Sequence, residues 1–275
     1  MADEIPLFPT SLVARSDAEL LRLALRAHLH QPAVALWRAT EFRMLRDIAF
    51  GTPVLDLGCG SGEVAKVVLR SHWPLDGLEL LEAEARVARA SGPYRAVVHA
   101  AGGRAPLASG AYATVYSHSV LEHIPDDIGA VREASRLLRP GGRLVFTVPA
   151  PAFARRVRAG PGGADALQAL DARLGHHHYR SLEEWRSILD GVSCDLVASD
   201  GHLPAATQRA WQRLDELMVR RLAGRRLLDW FRGLHRRRLV PAEAWVAVWS
   251  GLLWRPFRRR VDEPGGFLIV ARRRI

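Results

Sequence analysis

A glycine-rich turn directly after a short apolar run is the feature that most constrains the fold of this chain. Residues 53–57 read Pro-Val-Leu-Asp-Leu, which is typical of a buried strand, and residues 58–62 read Gly-Cys-Gly-Ser-Gly, at the start of a helix predicted over residues 61–70. Glycines at such a turn let the backbone pass close to a ligand, and the free amides of the following helix point toward it. The turn therefore predicts a parallel α/β sheet with a nucleotide-like cofactor at its edge.

The spacing of these glycines argues against two other nucleotide-binding motifs. A dinucleotide fingerprint would place a glycine three residues after Gly60, where the sequence has Glu63, and no Gly-Lys pair closes the turn as in a nucleotide triphosphatase. A second acid, Glu79, ends the next predicted strand, 23 residues after Asp56. A carboxylate at this place can accept both hydroxyls of an adenosine ribose. Glu79 is thus predicted to bind the cofactor, the alternative being a surface acid at a strand end.

From residue 53 onward, short apolar runs alternate with helical patterns, which is the sequence form of a parallel sheet flanked by helices. Strands are predicted over residues 53–57, 75–80, 96–99, 113–117, 143–148 and 194–199, and helices over residues 82–90, 127–138 and 181–189. The Pro-Gly-Gly tract at residues 140–142 is predicted to end a helix and turn the chain. The fold class is α/β, doubly wound.

Three segments lie outside this alternation. Residues 32–48 are predicted to form an amphipathic helix before the sheet, and the Gly-Pro-Gly-Gly tract at residues 160–163 a mobile loop. Residues 202–262 read as two or three arginine-rich helices, and residues 266–271 as a final strand. The predicted organisation is an N-terminal helical segment (1–50), a cofactor-binding catalytic core (51–200), a basic, Trp-rich helical insertion (201–263) and the last core strand (264–275).

Four blocks, in order, resemble motifs of the class I S-adenosylmethionine-dependent methyltransferases over residues 30–200. Residues 54–62 (VLDLGCGSG) resemble the family's first motif, and residues 77–80 (GLEL) its ribose-binding strand end. Residues 119–124 (SVLEHI) are similar to the segment after the fourth strand, and residues 137–144 (LLRPGGRL) to the approach to the fifth. The resemblance, to the type 11 enzymes of small molecules and lipids, implies a seven-stranded Rossmann-like sheet with one antiparallel strand, for which residues 266–271 are the candidate. It also implies S-adenosylmethionine as cofactor.

The resemblance also implies which residues hold that cofactor. The predicted set is Asp56, Gly58, Cys59, Gly60, Gly62, Glu79, Leu80, Ala101, Gly102, Ser117 and His118. Asp56 and the glycines are expected to lie against its methionine part. Two positions depart from the family: Ala101 stands where an adenine-binding Asp is common, and Tyr112-Ala113 replaces a usual Phe-Asp pair. Adenine recognition is therefore expected to rest on backbone groups around Ala101 and Gly102, and Cys59 is interpreted as a small packing side chain.

Histidines supply the candidate catalytic groups. Methyl transfer is an in-line displacement that needs positioning, but a hydroxyl acceptor benefits from a base near neutral pKa. His123, after the fourth strand, is the first candidate, the alternative being a residue that packs or caps the next helix. His177, in the run of three histidines at 176–178, is the second, the alternative being a solvated loop. No metal is predicted, because three consecutive imidazoles diverge and no Cys or carboxylate with zinc-ligand spacing accompanies them.

The net charge of +10 is concentrated in the last quarter of the chain. Residues 201–275 hold 17 arginines and 6 acids, whereas residues 1–200 hold 22 basic and 23 acidic side chains. An apolar segment with Trp245, Trp249 and Trp254 is flanked by arginines, which suits the headgroup region of a membrane. Residues 205–260 therefore predict peripheral membrane contact beside an amphiphilic acceptor. The alternative is that these helices cover the sheet edge and present their arginines to solvent.

The favoured function is methyl transfer to an oxygen or carbon of a small-molecule or lipid-linked acceptor. Residues 117–120 read Ser-His-Ser-Val where enzymes that methylate base amines carry Asp or Asn before Pro-Pro and an aromatic, so a nucleic-acid partner is less favoured. The alternatives are an RNA-directed methyltransferase that uses the same arginines and a non-catalytic cofactor-binding protein. Two cysteines, an acidic start without an export pattern and the lack of a long apolar run predict a cytoplasmic location, at most at the inner face of a membrane.

Overall fold

The computed structural model describes residues 5–70, 72–222, 224–237 and 240–275. The acidic start of the chain and Arg238, one of the 17 arginines of residues 201–275, lie outside these residues. The strands are β1 (Leu7–Pro9), β2 (Ala49–Gly51), β3 (Val54–Leu57), β4 (Leu75–Glu79), β5 (Ala96–His99), β6 (Tyr112–His118), β7 (Leu138–Pro149), β8 (Cys194–His202), β9 (Arg221–Leu222), β10 (Arg225–Arg226) and β11 (Gly266–Arg273). The helices are α1 (Asp17–Ala27), α2 (Pro32–Leu45), α3 (Glu63–Val68), α4 (Glu82–Ser91), α5 (Asp127–Leu137), α6 (Pro151–Arg158), α7 (Gly163–Leu174), α8 (Leu182–Asp190), α9 (Ala205–Val219), α10 (Leu227–Arg236) and α11 (Ala242–Phe257), with a 3₁₀ turn at Leu121–His123.

Seven of the described strands form one sheet, in the order β5-β4-β3-β6-β7-β11-β8. β3 pairs in parallel with β4 and β6, and β11 lies antiparallel between β7 and β8. The strand order reverses at β3 and β6, and ligands of open α/β sheets bind at the carboxyl edge of such a switch point. The predicted doubly wound, mostly parallel sheet with residues 266–271 in its antiparallel strand is confirmed.

Side chains along each strand alternate between two buried clusters, one on each face of the sheet. Val54 and Tyr116 belong to the first cluster, and their neighbours Leu55 and Val115 to the second. Helices α1, α2, α3, α9 and α11 contribute to the first cluster, and α5 and α8 to the second. Because both faces are covered, the strands read as continuous apolar runs, which is why they were predictable.

The helix predicted over residues 32–48 is α2, but the prediction that it is amphipathic is wrong. Eleven of its 14 residues are buried. It contacts strands β8 and β11 on one side and helices α1, α9 and α11 on others. Helices α9 and α11, from the arginine-rich segment, cover the face of α2 that an amphipathic helix would expose to solvent. α2 is therefore a central helix of the first cluster.

Two glycine-containing tracts differ from their predicted structure. α7 begins at Gly163, so the tract at 160–163 is a turn into a helix, with Gly162 in the left-handed region at φ 86°. The Pro-Gly-Gly tract at residues 140–142 does not end α5, which stops at Leu137. It lies inside β7, where the register against β6 shifts. Helices α1, α6 and α7 were not predicted, although Ser16 and Glu19 form a capping box at the start of α1.

The described part of the insertion before β11 contains three helices, α9, α10 and α11, as well as the short β9–β10 pair. α11 packs against α1, and Arg26 donates two hydrogen bonds to the Glu243 carboxylate, at 2.9 and 2.8 Å. The insertion and the N-terminal helices therefore share one hydrophobic cluster. Among the described residues no helix has the length and apolar character needed to cross a membrane.

Candidate active site

The glycine turn after β3 needs the backbone conformations that glycine permits. Gly58, Gly60 and Gly62 have φ between +52° and +84°, in the left-handed region that other residues avoid. A Cβ added to Gly58 would lie 2.5 Å from the side chain of Val120, whereas one added to Gly60 would meet no atom within 4 Å. The turn is thus packed at its first glycine and open at its second, where a ligand can approach the backbone.

Glu79, at the end of β4, holds this turn in place. Its Oε2 accepts a hydrogen bond from the Gly60 amide at 2.8 Å, and its Oε1 accepts one from the Leu81 amide at 2.8 Å. The residue is only 8% exposed, and each carboxylate oxygen keeps a further lone pair for a ligand hydroxyl. Leu80 beside it is 61% exposed and adds an apolar surface at the same edge.

The side chains of Asp56, at the end of β3, and Cys59, within the turn, are buried. Asp56 Oδ2 accepts a hydrogen bond from the Tyr94 hydroxyl at 2.7 Å, and burial raises the pKa of Asp56 to about 7. Burial also raises the pKa of the Cys59 thiol above its usual range, so the thiol stays neutral. Tyr94 was missed by the sequence reasoning. It packs against Gly62, where an added Cβ would lie 2.9 Å from its ring.

The turn after β5 brings Ala101 and Gly102 to the same edge. Ala101 is exposed, and its carbonyl accepts a hydrogen bond from the Arg104 amide at 3.2 Å. A Cβ added to Gly102 would lie 3.4 Å from the side chains of Leu57 and Ile124. The predicted adenine-side backbone therefore lies next to the end of β3.

Ser117 and His118, which were predicted to bind the cofactor, have side chains that face other parts of the protein. The Ser117 hydroxyl is buried and donates a hydrogen bond to the Leu57 carbonyl at 3.1 Å. His118 is also buried, with its Nε2 3.1 Å from Glu41 Oε2. The geometry therefore gives both side chains a role in joining β6 to its neighbours.

A buried charge pair from α2, missed by the sequence reasoning, closes the space after β6. Arg38 Nη1 donates to Glu41 Oε2 at 2.8 Å and to Ser119 Oγ at 2.7 Å, and Ser119 Oγ donates to Glu41 Oε1 at 2.7 Å. Burial alone would raise the pKa of Glu41, but His118 and Arg38 hold it well below its usual range. Because Ser119 lies 81 residues after Arg38, no local pattern could indicate this contact.

A pocket of about 130 Å³ adjoins the cofactor edge, and the 3₁₀ turn after β6 forms one of its walls. Its lining residues come from α2, this turn, the end of α7 and α9. They are Val34, Trp37, Arg38, Ser119, Glu122, His123, Leu174, His176 and Trp211. Burial lowers the pKa of His123, so its imidazole is neutral at neutral pH. Burial raises the pKa of Glu122 to about 8.

Of the three consecutive histidines, His176 is the one that lines this pocket. His177, the predicted candidate, is exposed, and its backbone amide donates to the Glu122 carbonyl at 2.8 Å. His178 Nε2 lies 2.9 Å from the Pro125 carbonyl. The loop thus covers the 3₁₀ turn, and it directs the imidazole of His176, not that of His177, toward the pocket.

Comparison with known proteins identifies the family. Residues 17–199, more than half of the chain, match a model described as a methyltransferase domain. This chain belongs to that methyltransferase family.

Curated relatives match about half of this methyltransferase. A ubiquinone biosynthesis O-methyltransferase of Xanthomonas oryzae pv. oryzae is 33% identical over 141 residues, which is 48% of this chain and 56% of the relative. The 27-O-demethylrifamycin SV methyltransferase of Amycolatopsis mediterranei is 33% identical over 150 residues, 48% of this chain and 54% of the relative. The chain therefore spans about half the length of the curated relatives it matches.

Among solved structures, a putative sarcosine dimethylglycine methyltransferase from Galdieria sulphuraria is similar, with a TM-score of 0.51 and 17% identity. The match covers 80% of this chain and 77% of that one. This likeness concerns the fold, and it agrees with the Rossmann-like sheet described above.

The cofactor of the family is S-adenosylmethionine, and the residues of this methyltransferase fit it. The open backbone at Gly60 provides room for close approach, and the nearby Glu79 carboxylate keeps lone pairs for ribose hydroxyls. The Ala101–Gly102 backbone lies at the same edge, next to the end of β3. The arrangement supports cofactor binding.

A second, larger cavity of about 790 Å³ lies between α6, α7 and α9 of the methyltransferase. Its apolar lining includes Val157, Leu170 and Trp211. The charged lining residues are Arg156, Arg173, Arg209, Arg213, Asp215 and Glu216. Trp211 also lines the smaller pocket. The two cavities therefore adjoin a common aromatic side chain, the smaller one nearer the cofactor edge.

The tryptophans of α11 do not form the exposed face that the sequence suggested. Trp249 is buried, and Trp245 and Trp254 pack against the first hydrophobic cluster. The exposed apolar side chains of the helix are Val248 and Leu252, at 59% and 62%. The tryptophans point inward because α11 covers α1 and α2.

Proposed function

We propose that this methyltransferase transfers a methyl group from S-adenosylmethionine to a hydroxyl of a small or lipid-linked molecule. One observation carries the proposal: the glycine turn that Glu79 holds and the pocket that His123 lines lie at the same edge of the sheet. The relatives named O-methyltransferases support oxygen over carbon as the acceptor atom. The activity, the acceptor and any partners of the whole protein are all part of this proposal.

The chain's own residues can bind, orient and deprotonate an acceptor. When bound, S-adenosylmethionine supplies an electrophilic methyl group on its sulfonium. His123 Nδ1 lies 3.1 Å from the Gly175 carbonyl, which only accepts hydrogen bonds, so Nδ1 carries the proton and Nε2 keeps its lone pair. Nε2 can then take the acceptor's proton as its oxygen bonds to the methyl carbon and the sulfur keeps the electron pair. The rings of Trp37 and Trp211 would position an apolar acceptor beside it.

The proposal is tested with the purified chain, methyl-labelled S-adenosylmethionine and a panel of phenols and catechols with and without prenyl tails. We expect labelled ether products, identified by mass. His123→Asn should lower kcat by about 10²–10⁴-fold while the dissociation constant of the cofactor stays unchanged. Cofactor binding without methyl transfer to any hydroxyl would favour the non-catalytic alternative. Label in RNA but not in lipid extract would favour the RNA-directed one.

We also propose that the acceptor is amphiphilic and that residues 205–260 contact the cytoplasmic face of a membrane. Two observations support this: the positive balance of residues 201–275 and the exposure of Val248 and Leu252 on α11. The 790 Å³ cavity beside Trp211 is large enough for part of a lipid tail.

A further inference from the structure

The fold brings two histidines and one glutamate together from segments about 50 residues apart. Glu122 and His123 belong to the 3₁₀ turn after β6, and His176 follows α7. Each residue offers one ligand atom, and these atoms all lie within 4.8 Å of one another. No metal was predicted from the sequence, because three consecutive imidazoles diverge and no Cys or carboxylate with zinc-ligand spacing accompanies them. In the folded protein, Glu122 and His123 of the 3₁₀ turn lie beside His176 and supply the further ligands that the histidine run lacks.

The hydrogen bonds of both imidazoles fix which nitrogen is free to ligate. His123 Nδ1 donates to the Gly175 carbonyl at 3.1 Å. His176 Nδ1 lies 3.0 Å from the Tyr179 hydroxyl, which itself donates to Asp171 Oδ1 at 2.5 Å. Because that hydroxyl proton is committed to the carboxylate, the Tyr179 oxygen accepts from His176 Nδ1. Both Nε2 atoms therefore keep a lone pair, which is the arrangement seen around metal-ligating histidines.

The glutamate presents a buried oxygen without a partner. Glu122 is 3% exposed and lines the small pocket. Its Oε2 has no hydrogen-bond partner among the described residues, and its Oε1 lies 4.0 Å from His123 Nε2. Buried polar atoms almost always have a hydrogen-bond partner, so the lack of one for Glu122 Oε2 indicates that a ligand binds this oxygen. Arg38, the cation that lines the same pocket, is already paired with Glu41 at 2.8 Å.

We propose that Glu122, His123 and His176 bind one divalent transition-metal ion of the Zn²⁺ class at the wall of the small pocket. Two imidazoles and one carboxylate suit such an ion better than Mg²⁺ or Ca²⁺, which prefer all-oxygen sites. Three protein ligands leave coordination positions open toward the pocket. The role of the ion, though not its binding, rests on the proposed transfer to a hydroxyl. Because His123 Nε2 would then be a metal ligand, it could not also act as the base. The ion would instead act as a Lewis acid that orients the acceptor hydroxyl and favours loss of its proton to solvent.

Metal binding is measured on the full, untagged chain after EDTA treatment and dialysis into metal-free buffer. Equilibrium dialysis with Zn²⁺ should give one equivalent bound, and titration with Co²⁺ should give the visible absorption bands of a low-coordinate nitrogen and oxygen site. His176→Ala and Glu122→Gln should each weaken Zn²⁺ binding by more than about 100-fold, because ligand loss exceeds the effect of losing an outer partner. His177→Ala, which removes the adjacent exposed imidazole, should leave the affinity unchanged.

Tyr179→Phe tests the positioning of His176. Removing the hydroxyl frees His176 Nδ1, so Zn²⁺ affinity should fall by about 10–100-fold, with altered Co²⁺ bands and unchanged circular dichroism. If Glu122→Gln does not fold, the Zn²⁺ affinities of His176→Ala and Tyr179→Phe test the metal site. Less than one equivalent bound, or equal affinity in wild type and His176→Ala, would overturn the metal site.

These outcomes are distinct from failure of the proposed function. One bound equivalent without methyl transfer to any hydroxyl would refute the transfer and leave the site in place. Methyl transfer by metal-free protein at an unchanged rate, with no Zn²⁺ bound, would refute the site and leave His123 as the base.

Discussion

Glu79 links the backbone of the cofactor turn to the end of the neighbouring strand. With one oxygen on the Gly60 amide and the other on the Leu81 amide, it fixes the turn before any ligand binds. Such a pre-formed contact lowers the ordering cost of binding. The same carboxylate is therefore expected to serve both the turn and the ribose.

Replacing Glu79 by Gln should weaken S-adenosylmethionine binding by about 10–100-fold. The amide keeps one acceptor oxygen but loses the charge, and hydrogen bonds to charged groups are worth about 1.5–3 kcal/mol. Isothermal titration calorimetry gives the dissociation constant. Glu84→Gln, within α4, is the matched control and should bind like wild type. A folded Glu79→Gln protein with unchanged affinity would show that the ribose contact lies elsewhere.

Asp56→Asn should stabilise the protein at pH 8 but not at pH 4. The folded carboxyl has its pKa raised to about 7 by burial, against 3.8 ordinarily, so unfolding releases a proton between these pH values and wild-type stability falls as the pH rises through them. Asn does not titrate and can still accept the Tyr94 hydrogen bond. The difference should grow between pH 4 and pH 7 by about 1.4 kcal/mol per pH unit and then level off.

Urea denaturation of both proteins at pH 4, 6 and 8 measures this difference in unfolding free energy. Asp165→Asn, at an exposed position of α7, controls for the loss of a surface charge. A constant difference between Asp56→Asn and wild type across the three pH values would contradict a protonated, buried Asp56.

At the scale of elements, the capping signal of α8 led to a correct prediction, the equivalent signal of α1 was missed, and the surroundings of a helix covered by distant segments could not be predicted. α8 was expected from Ser181 and the acids after it, and the capping box with Glu184 is present. The amphipathic expectation for α2 failed because its second face is covered by helices almost 200 residues later. Periodicity reports how many faces are apolar, not which distant segment covers them.

Ser181→Ala should lower the unfolding free energy by about 1 kcal/mol. The Ser181 hydroxyl accepts from the Glu184 amide at 3.2 Å, and Glu184 Oε2 accepts from the Ser181 amide at 2.7 Å, so the substitution leaves a helix-start amide without its cap. Urea denaturation measures the change. Ser187→Ala, on the exposed side of the same helix, should change stability by less than about 0.5 kcal/mol. Equal effects of the two substitutions would exclude a specific capping contribution.

At the scale of the whole molecule, the sheet and its cofactor turn followed from local patterns, but the acceptor side did not. The glycine turn and Glu79 lie at the ends of β3 and β4, which apolar runs in the sequence predict. The small pocket combines α2, the 3₁₀ turn, the end of α7 and α9, so its residues are brought together only by tertiary packing. For the same reason His176, not His177, faces the pocket, since loop geometry decides which imidazole turns inward.

The basic insertion gives a whole-molecule prediction about membranes. Purified protein should float with vesicles of phosphatidylglycerol and phosphatidylcholine, and part of the binding should persist at high salt because Val248 and Leu252 would enter the headgroup region. The double variant Val248→Asp, Leu252→Asp should reduce the partition constant about tenfold or more, since each buried side chain contributes about 1.5–3 kcal/mol. Flotation across a range of salt concentrations measures both effects.

Val197→Asp is the matched control, because Val197 is 55% exposed but lies on the edge strand β8, outside the insertion. It should float like wild type. If the double variant also floats like wild type, α11 is not the contact. If the wild type does not bind vesicles but binds RNA with an affinity that falls steeply as salt rises, the arginines contact phosphates. The positive charge of residues 201–275 would then belong to nucleic-acid recognition and not to a lipid surface.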